Sequence, residues 1–261
     1  MENIASFETE LAEGILTVTL SSPETKNALS MACIDTLREI IQEVYDNSEI
    51  KSVIITGAGE EVFATGTVPQ EIKALNELNS RKFAEHSQET FALIEHCHKP
   101  VLAAVNGAAI SGGFALALAC HLCIASENAT FSFPEVAMGI IPGFGGTQRL
   151  THLIGKKKAL ELMMTGESIT AAEAQALGVV SYVASYKEAL MKRSREILQK
   201  IMAHAPLAVG MLVNCTNAAY NPDEDGYQTE ANSFAHCCKT EDLKEGISAL
   251  LEKRLPVFRG V

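Results

Sequence analysis

The stretch KPVLAAVNGAAISGGFALALAC, Lys99 to Cys120, constrains the fold more than any other part of the chain. PVLAAVNGAAI reads as a buried strand running into a glycine turn, and SGGFALALACHL as a helix of small residues. The same grammar recurs before it. GILTVTLS (14–21) alternates as a strand does. SPETKNALS is a turn, and from about Ser30 the apolar positions Ile34, Leu37, Ile40, Ile41 and Val44 take helical spacing. KSVIITGAG is a β-branched strand stopped by glycines, and EVFATGTVP a loop after a brief strand. Residues 69–99 are helical, in two pieces broken near Asn79–Ser80. LCIASENATFSFPE holds two short strands around a polar turn. Strand, helix, strand, helix, strand, helix predicts right-handed parallel crossovers and an α/β layer structure.

After Leu150 the character changes. THLIGKKKALELMMTG, TAAEAQALG and YKEALMKRSREILQKIMAH read as helices, with one short strand at VVSYVA. From Pro206 the segments are helical, with NPDEDG as an exposed turn. This divides the 261 residues into an α/β core over 1–200 and a helical region over 201–261. Hydrophobic residues make up 47% and charged residues 20%, which suits a packed core and not disorder. No apolar run reaches the roughly 18 residues of a membrane span. The opening MENIASFETE is acidic and lacks a signal-peptide core, so a cytoplasmic address and no membrane partner are expected. The net charge of −11 argues against nucleic acid as a partner. A phosphate-bearing ligand needs a local cluster of cations.

Cys120 and Cys123 have C-x-x-C spacing, one of the signatures of redox or zinc chemistry. No second C-x-x-C completes a metal site and the surrounding LALACHLCIAS is apolar, so these thiols are expected to pack as small hydrophobes, with no metal. His96 and His98, two apart and without a third ligand, are expected to end a helix.

Two glycine loops offer exposed backbone N–H groups, one around Gly66 and Thr67 and one at Gly112 and Gly113, where a helix begins. Converging donors of this kind make an oxyanion hole for a carbonyl oxygen that gains charge. The same glycines equally serve close helix–strand packing. Neither loop has a phosphate-loop or dinucleotide fingerprint, and Ser111 does not sit in a G-x-S-x-G elbow. The carboxylate that stands out is Glu135, fixed behind Pro134 and followed by an apolar run. A poorly solvated position there raises its pKa, as a proton-transferring base requires. A helix N-terminal glutamate stabilised by the dipole is the alternative.

SPETKNALS, FATGTVPQEIKAL, KPVLAAVNGAAISGGFALALAC, FSFPEVAMGIIPGFGGTQRL, MTGESITAAEAQALGVVSYV and EDLKEGISALLEKRLPVFRG fall in the order seen in the enoyl-CoA hydratase/isomerase (crotonase) superfamily, which the chain resembles along nearly its whole length. The resemblance implies an α/β crotonase-like spiral of β-β-α units with a C-terminal helical trimerisation region. It also implies an acyl-CoA substrate, no cofactor beyond the CoA of that substrate, and a homotrimer or dimer of trimers. It places the oxyanion donors at the N–H groups of Gly112 and Thr67, the acid/base at Glu135, and Gly143 beside the migrating proton or water. CoA is expected to run past Lys26, Ala28, Ala64 and Gly66, with Phe114 and Ala115 at the acyl site and Lys253 and Phe258 reaching CoA, often from a neighbouring subunit. Lys26 and Lys253 are the expected local cations.

Two departures matter. Hydratases of the family resemble GGxELA where this chain has GGFALA, so Ala115 stands where a second glutamate is expected. The oxyanion loop, often AGADIKE, is TGTVPQE here, with Val68 in place of the aspartate and Pro69 after it. One positioned acid/base suffices to move a proton between two carbons of a dienolate, whereas hydration commonly divides its work between two carboxylates. The expectation is an enoyl-CoA isomerase acting through Glu135. The alternatives are an enoyl-CoA hydratase, with water supported from elsewhere such as the Glu71 helix, or an acyl-CoA-binding homologue altered in catalysis.

Overall fold

The computed structural model describes residues 6–261. The first five residues of the acidic opening, on which the expected address partly rests, lie outside the described residues. The chain enters as an antiparallel hairpin of β1 (Ser6–Ala12) and β2 (Ile15–Ser21). Glu13 and Gly14 between them both have positive φ, 53° and 78°, the two-residue geometry that matches the twist of paired strands. Helix α1 (Met31–Asp46) follows and is N-capped by Ser30, whose hydroxyl accepts from the Cys33 N–H.

A unit of two strands then helix now repeats. β3 (Ser52–Gly57) and β4 (Val62–Ala64) lead to α2 (Pro69–Lys73) and α3 (Ser80–Glu95). β5 (Val101–Val105) and β6 (Ala108–Ile110) lead to α4 (Gly112–Ala119). β7 (Leu122–Ser126) and β8 (Thr130–Ser132) lead, through a 3₁₀ turn at Glu135–Met138, to α5 (Gly146–Ile154) and α6 (Lys156–Thr165). The core closes with β9 (Ile169–Thr170), α7 (Ala171–Ala176), β10 (Tyr182–Ala184) and α8 (Lys187–Met202). Three helices end the chain: α9 (Pro206–Ala218), α10 (Gly226–Cys237) and α11 (Glu241–Glu252).

The first strand of each unit joins one sheet, in the order β1-β2-β3-β5-β7-β10, and the second strand joins another, β4-β6-β8-β9. Apart from the β1–β2 and β8–β9 pairs, all neighbours are parallel. This is the expected spiral of β-β-α turns. The central strands β3, β5 and β7 of the larger sheet are covered on both faces, which is why they read as largely apolar runs. Val18, Val53, Val101 and Ala103 face the main core with α1 and α4. Ile15, Ile54, Leu102 and Ile124 face Leu190 and Leu198 of α8.

Three details differ from the sequence reading. PVLAAVNGAAI is two strands in two sheets, turned at Gly107, where a Cβ would lie 2.2 Å from the Glu61 carbonyl oxygen; only glycine lets the two turns of the spiral approach so closely. Buried Asn106 ties the same corner together, accepting from the Gly57 N–H at 2.9 Å and donating to the Gly59 carbonyl at 2.9 Å. The segment THLIGKKKALELMMTG is two helices separated at Gly155, and strands β1 and β9 were not anticipated.

Candidate active site

The second strand of each repeated unit ends at one cavity of about 800 Å³. β4 delivers Gly66 and Thr67, β6 delivers Ser111 and Gly112, and β8 delivers Pro134 and Glu135. Ala115, one turn into α4, lines the same space. Ile72, Leu75 and Phe83 from the α2–α3 side face Ile140 and Ile141 across it. Among the lining residues Glu135 is the one ionisable side chain.

The first two loops are held in contact. A Cβ on Gly113 would lie 2.0 Å from the Ala64 carbonyl oxygen, and one on Gly66 would lie 2.2 Å from Ser111 Oγ and 3.1 Å from the Gly112 nitrogen. Without side chains at these positions, the N-terminus of α4 and the β4 loop meet backbone to backbone. Thr67 and Gly112 both open on the cavity, and among the described residues neither N–H is given to another backbone carbonyl. Gly112 begins α4, where unpaired N–H groups and the helix dipole favour negative charge. The packing reading of the glycines holds, and the close approach brings the two glycine loops to one cavity.

Glu135 is 4% exposed. Its Oε1 is 2.6 Å from Ser111 Oγ, which donates to it, while buried Oε2 has no hydrogen-bond partner. Burial pushes its pKa above the ordinary glutamate value, and the Ser111 hydrogen bond offsets part of that rise. Glu135 does begin a 3₁₀ turn, as the alternative reading required, but its side chain is turned into the cavity.

Ser111 was set aside on its sequence context, and the structure returns it to the site. It has φ 56° and ψ −120°, a conformation rare for any residue but glycine, at the junction of β6 and α4. Such backbone costs roughly 1–3 kcal/mol and persists only where the surroundings enforce it. The signal for it was local: a serine immediately before a glycine pair at a strand-to-helix turn.

The loop that follows Glu135 is pinned to α3. Gln88 Nε2 donates to the Gly143 carbonyl at 2.8 Å; Arg149 donates to the Phe144 carbonyl at 3.1 Å and to Glu95 Oε2 at 2.8 Å. A Cβ on Gly143 would meet only Ala84, at 3.8 Å, so this residue leaves open room in the cavity.

The profile of the enoyl-CoA hydratase/isomerase family matches residues 10–261. The chain belongs to the enoyl-CoA hydratase/isomerase family. It is 40% identical to the short-chain-enoyl-CoA hydratase of Clostridium acetobutylicum over 241 residues, 92% of each chain. It is also 40% identical to the putative enoyl-CoA hydratase/isomerase YngF of Bacillus subtilis, covering 95% of this chain and 96% of that one. Among solved structures, the enoyl-CoA hydratase of Bacillus anthracis superimposes with a TM-score of 0.91 at 34% identity, over 98% of this chain and 99% of that one. The named relatives include a short-chain-enoyl-CoA hydratase and a crotonyl-CoA hydratase, and the chain is an enzyme of the hydratase/isomerase type.

The remaining residues that the hydratase/isomerase resemblance singled out are scattered. Lys26 is exposed, at φ 55°, in the turn before α1, and its carbonyl accepts from the Thr65 N–H and hydroxyl. Ala28 and Ala64 are buried in the walls of that loop. Phe114 is not on the cavity wall: it stacks on Phe133 at 4.7 Å and belongs to the core. Lys253 caps α11 in a left-handed conformation and Phe258 packs over Gly246, neither lining this chain's cavity. Glu71 does not line the cavity. Its carboxylate accepts from the Met31 N–H at 3.1 and 3.2 Å, at the start of α1.

Cys120 and Cys123 are free thiols, the first half-buried and the second buried, both shifted upward by burial, Cys123 to about 12. His96 ends α3, its Nδ1 2.9 Å from the Ala92 carbonyl. No cluster of metal-ligating side chains occurs among the described residues, and no single helix there is long and apolar enough to cross a membrane.

Proposed function

We infer that this enzyme shifts the double bond of an enoyl-CoA, with Glu135 as its single acid/base. The observation that carries this reading is that Glu135 is the one ionisable side chain on the cavity wall, with Ala115 where a second carboxylate is expected. The thioester carbonyl oxygen accepts from the Thr67 and Gly112 N–H groups, which stabilise the negative charge that forms when a proton leaves the carbon chain. Losing one such donor typically lowers the rate roughly 10²–10³-fold. Glu135 Oε2 takes the proton at one carbon and returns it at another, with Gly143 leaving room for the movement. Burial keeps the carboxylate basic enough to do so. The apolar wall of Ile72, Leu75, Phe83, Ile140 and Ile141 suits an uncharged acyl chain. No metal or organic cofactor enters these steps; CoA is the carrier of the substrate.

The CoA moiety runs outward past Lys26 and Gly66. Lys253 and Phe258 reach it from a second copy of the chain, assembled through residues 201–261 as a trimer or dimer of trimers; residues 1–200 form the catalytic core. The exposed Tyr227, Phe234, Leu250 and Leu251 support this part of the reading.

Hydration is the second reading, favoured by the printed names of the relatives, a short-chain-enoyl-CoA hydratase and a crotonyl-CoA hydratase among them. Rates with a 3-enoyl-CoA and with crotonyl-CoA, in the unaltered protein and in Glu135→Gln, separate the two. Isomerisation exceeding hydration, with both lost in Glu135→Gln, supports the first reading. Hydration as the dominant Glu135-dependent activity replaces it with the second.

A further inference from the structure

The Ser111 hydroxyl has a geometry that double-bond migration does not require. It stands at a sharp strand-to-helix turn, between β6 and α4, with φ 56° and ψ −120°. The residue after it, Gly112, supplies an oxyanion donor, and a second donor, Thr67, comes from another strand's loop. Its Oγ is 2.6 Å from Glu135 Oε1. A strained serine between strand and helix, an N–H on the next residue, a second N–H from a separate loop and a base within hydrogen-bond reach are the parts of a nucleophile elbow. A glycine at position 111 would hold this backbone without strain, so the serine side chain is maintained against a conformational penalty.

We propose that Ser111 is a nucleophile and that the enzyme also cleaves acyl-CoA thioesters through an acyl-serine. The proposal rests on the reading that the thioester carbonyl lies between Thr67 and Gly112. Ser111 Oγ attacks the carbonyl carbon while its proton passes to Glu135 Oε1, and the tetrahedral oxyanion is held by the two N–H groups. Collapse breaks the carbon–sulfur bond, and the departing CoA sulfur takes the proton from Glu135. Water, deprotonated by Glu135, then attacks the acyl-serine ester and the proton returns to Ser111. The sum is thioester plus water giving carboxylic acid plus thiol, with nothing oxidised or reduced.

Glu135 thus serves two proton acceptances: from a carbon of an unsaturated chain through Oε2, and from Ser111 through Oε1. No other ionisable group lines the cavity to share this work. β6 and α4 carry no ionisable side chain. α6, packed on the 3₁₀ turn, carries Lys156, Lys157, Lys158 and Glu161, none of which contributes to the shift of Glu135. Which activity dominates depends on the substrate: a saturated acyl-CoA offers no double bond to move, and only the carbonyl can react productively.

Butyryl-CoA is therefore the probe. Three measurements are made on the purified protein: CoA thiol release, intact and peptide mass after rapid acid quench, and exchange of the α-protons of butyryl-CoA in deuterated water. The expected result is steady thiol release, a butyryl adduct on the peptide containing Ser111, and a fall in release of at least about 10²-fold in Ser111→Gly. That variant suits the backbone and keeps the fold measurable where Ser111→Ala does not. A fluorophosphonate should label the unaltered protein at Ser111 and leave Ser111→Gly unlabelled. α-Proton exchange without thiol release, adduct or label overturns the nucleophile and leaves the enolate reading standing. Absence of exchange as well overturns both. Thiol release that persists in Ser111→Gly, with no adduct, shows direct attack by water and also overturns the proposal.

Discussion

In the proposed reaction Glu135 concentrates the chemistry in one carboxylate with two unequal oxygens. Oε1 is engaged by Ser111 and Oε2 is buried without a partner. Replacing it with glutamine should lower turnover on enoyl-CoA by about 10²–10⁴-fold with little change in substrate binding, read as a fall in kcat at similar KM. The raised pKa also predicts a stability signature. A carboxyl whose folded-state pKa lies above its unfolded value favours the folded state while protonated, and that contribution is lost as pH rises through the folded pKa. Denaturant unfolding of the unaltered protein and Glu135→Gln, compared from below pH 4.5 upward, should show the glutamine variant gaining relative stability as pH rises. A difference that stays flat with pH means Glu135 is not shifted. Ala115→Glu, which restores a second carboxylate to the wall, should raise hydration of crotonyl-CoA relative to isomerisation; the product ratio measures it. Glu135 was legible in the sequence as a lone carboxylate fixed behind Pro134, although the apolar run expected to bury it, Val136 to Met138, is itself exposed. Ser111 left only a local signal, a serine before a glycine pair; its contact with Glu135, 24 residues away, and its backbone conformation are visible only in the fold.

At the scale of elements, the site depends on how closely α4 approaches β4. Gly113→Ala places a methyl group against the Ala64 carbonyl, and the helix must move or the strand must bend. The expected loss is about 1–3 kcal/mol of stability, together with a fall in kcat/KM larger than that of a cavity-wall change such as Ile141→Ala, because the two donor loops separate. Thermal unfolding and steady-state kinetics on both variants test this. The α/β alternation was readable because β3, β5 and β7, the central strands of the larger sheet, are almost wholly buried and carry largely apolar runs. The second sheet was harder: β4, β6, β8 and β9 are two or three residues long, too short for a period-2 pattern. β1 was missed although Phe7, Thr9 and Leu11 alternate with Glu8 and Glu10, since Glu13–Gly14 reads as a hairpin only once glutamate is allowed a positive φ.

At the scale of the molecule, the terminal helices present apolar side chains that this chain does not cover. Tyr227, Phe234, Leu250, Leu251 and Leu255 are each at least 72% exposed. Exposed apolar surface of this kind marks an interaction site. If residues 201–261 hold a trimer together, Phe234→Asp combined with Leu250→Asp should shift the sedimentation of the protein toward the monomer and weaken CoA binding, because Lys253 and Phe258 then no longer reach a neighbour's site. Retention of the oligomer in that double variant means the contact lies elsewhere. The helical character of this region was legible in its periodicity, but what its apolar side chains face was not.

In the proposed reaction the site is spread over successive turns of the spiral: one donor follows β4, the next follows β6, and the base follows β8. In evolutionary terms this separates inheritance of the carbonyl clamp from inheritance of the reaction. A lineage can rewrite the last turn, or a single residue of the helix behind the second, and obtain a different fate for the same bound thioester while the first two turns pass on unchanged. Ala115, set against the GGxELA pattern, is a difference of that size, one codon wide, on a scaffold that has no need to be reinvented around it.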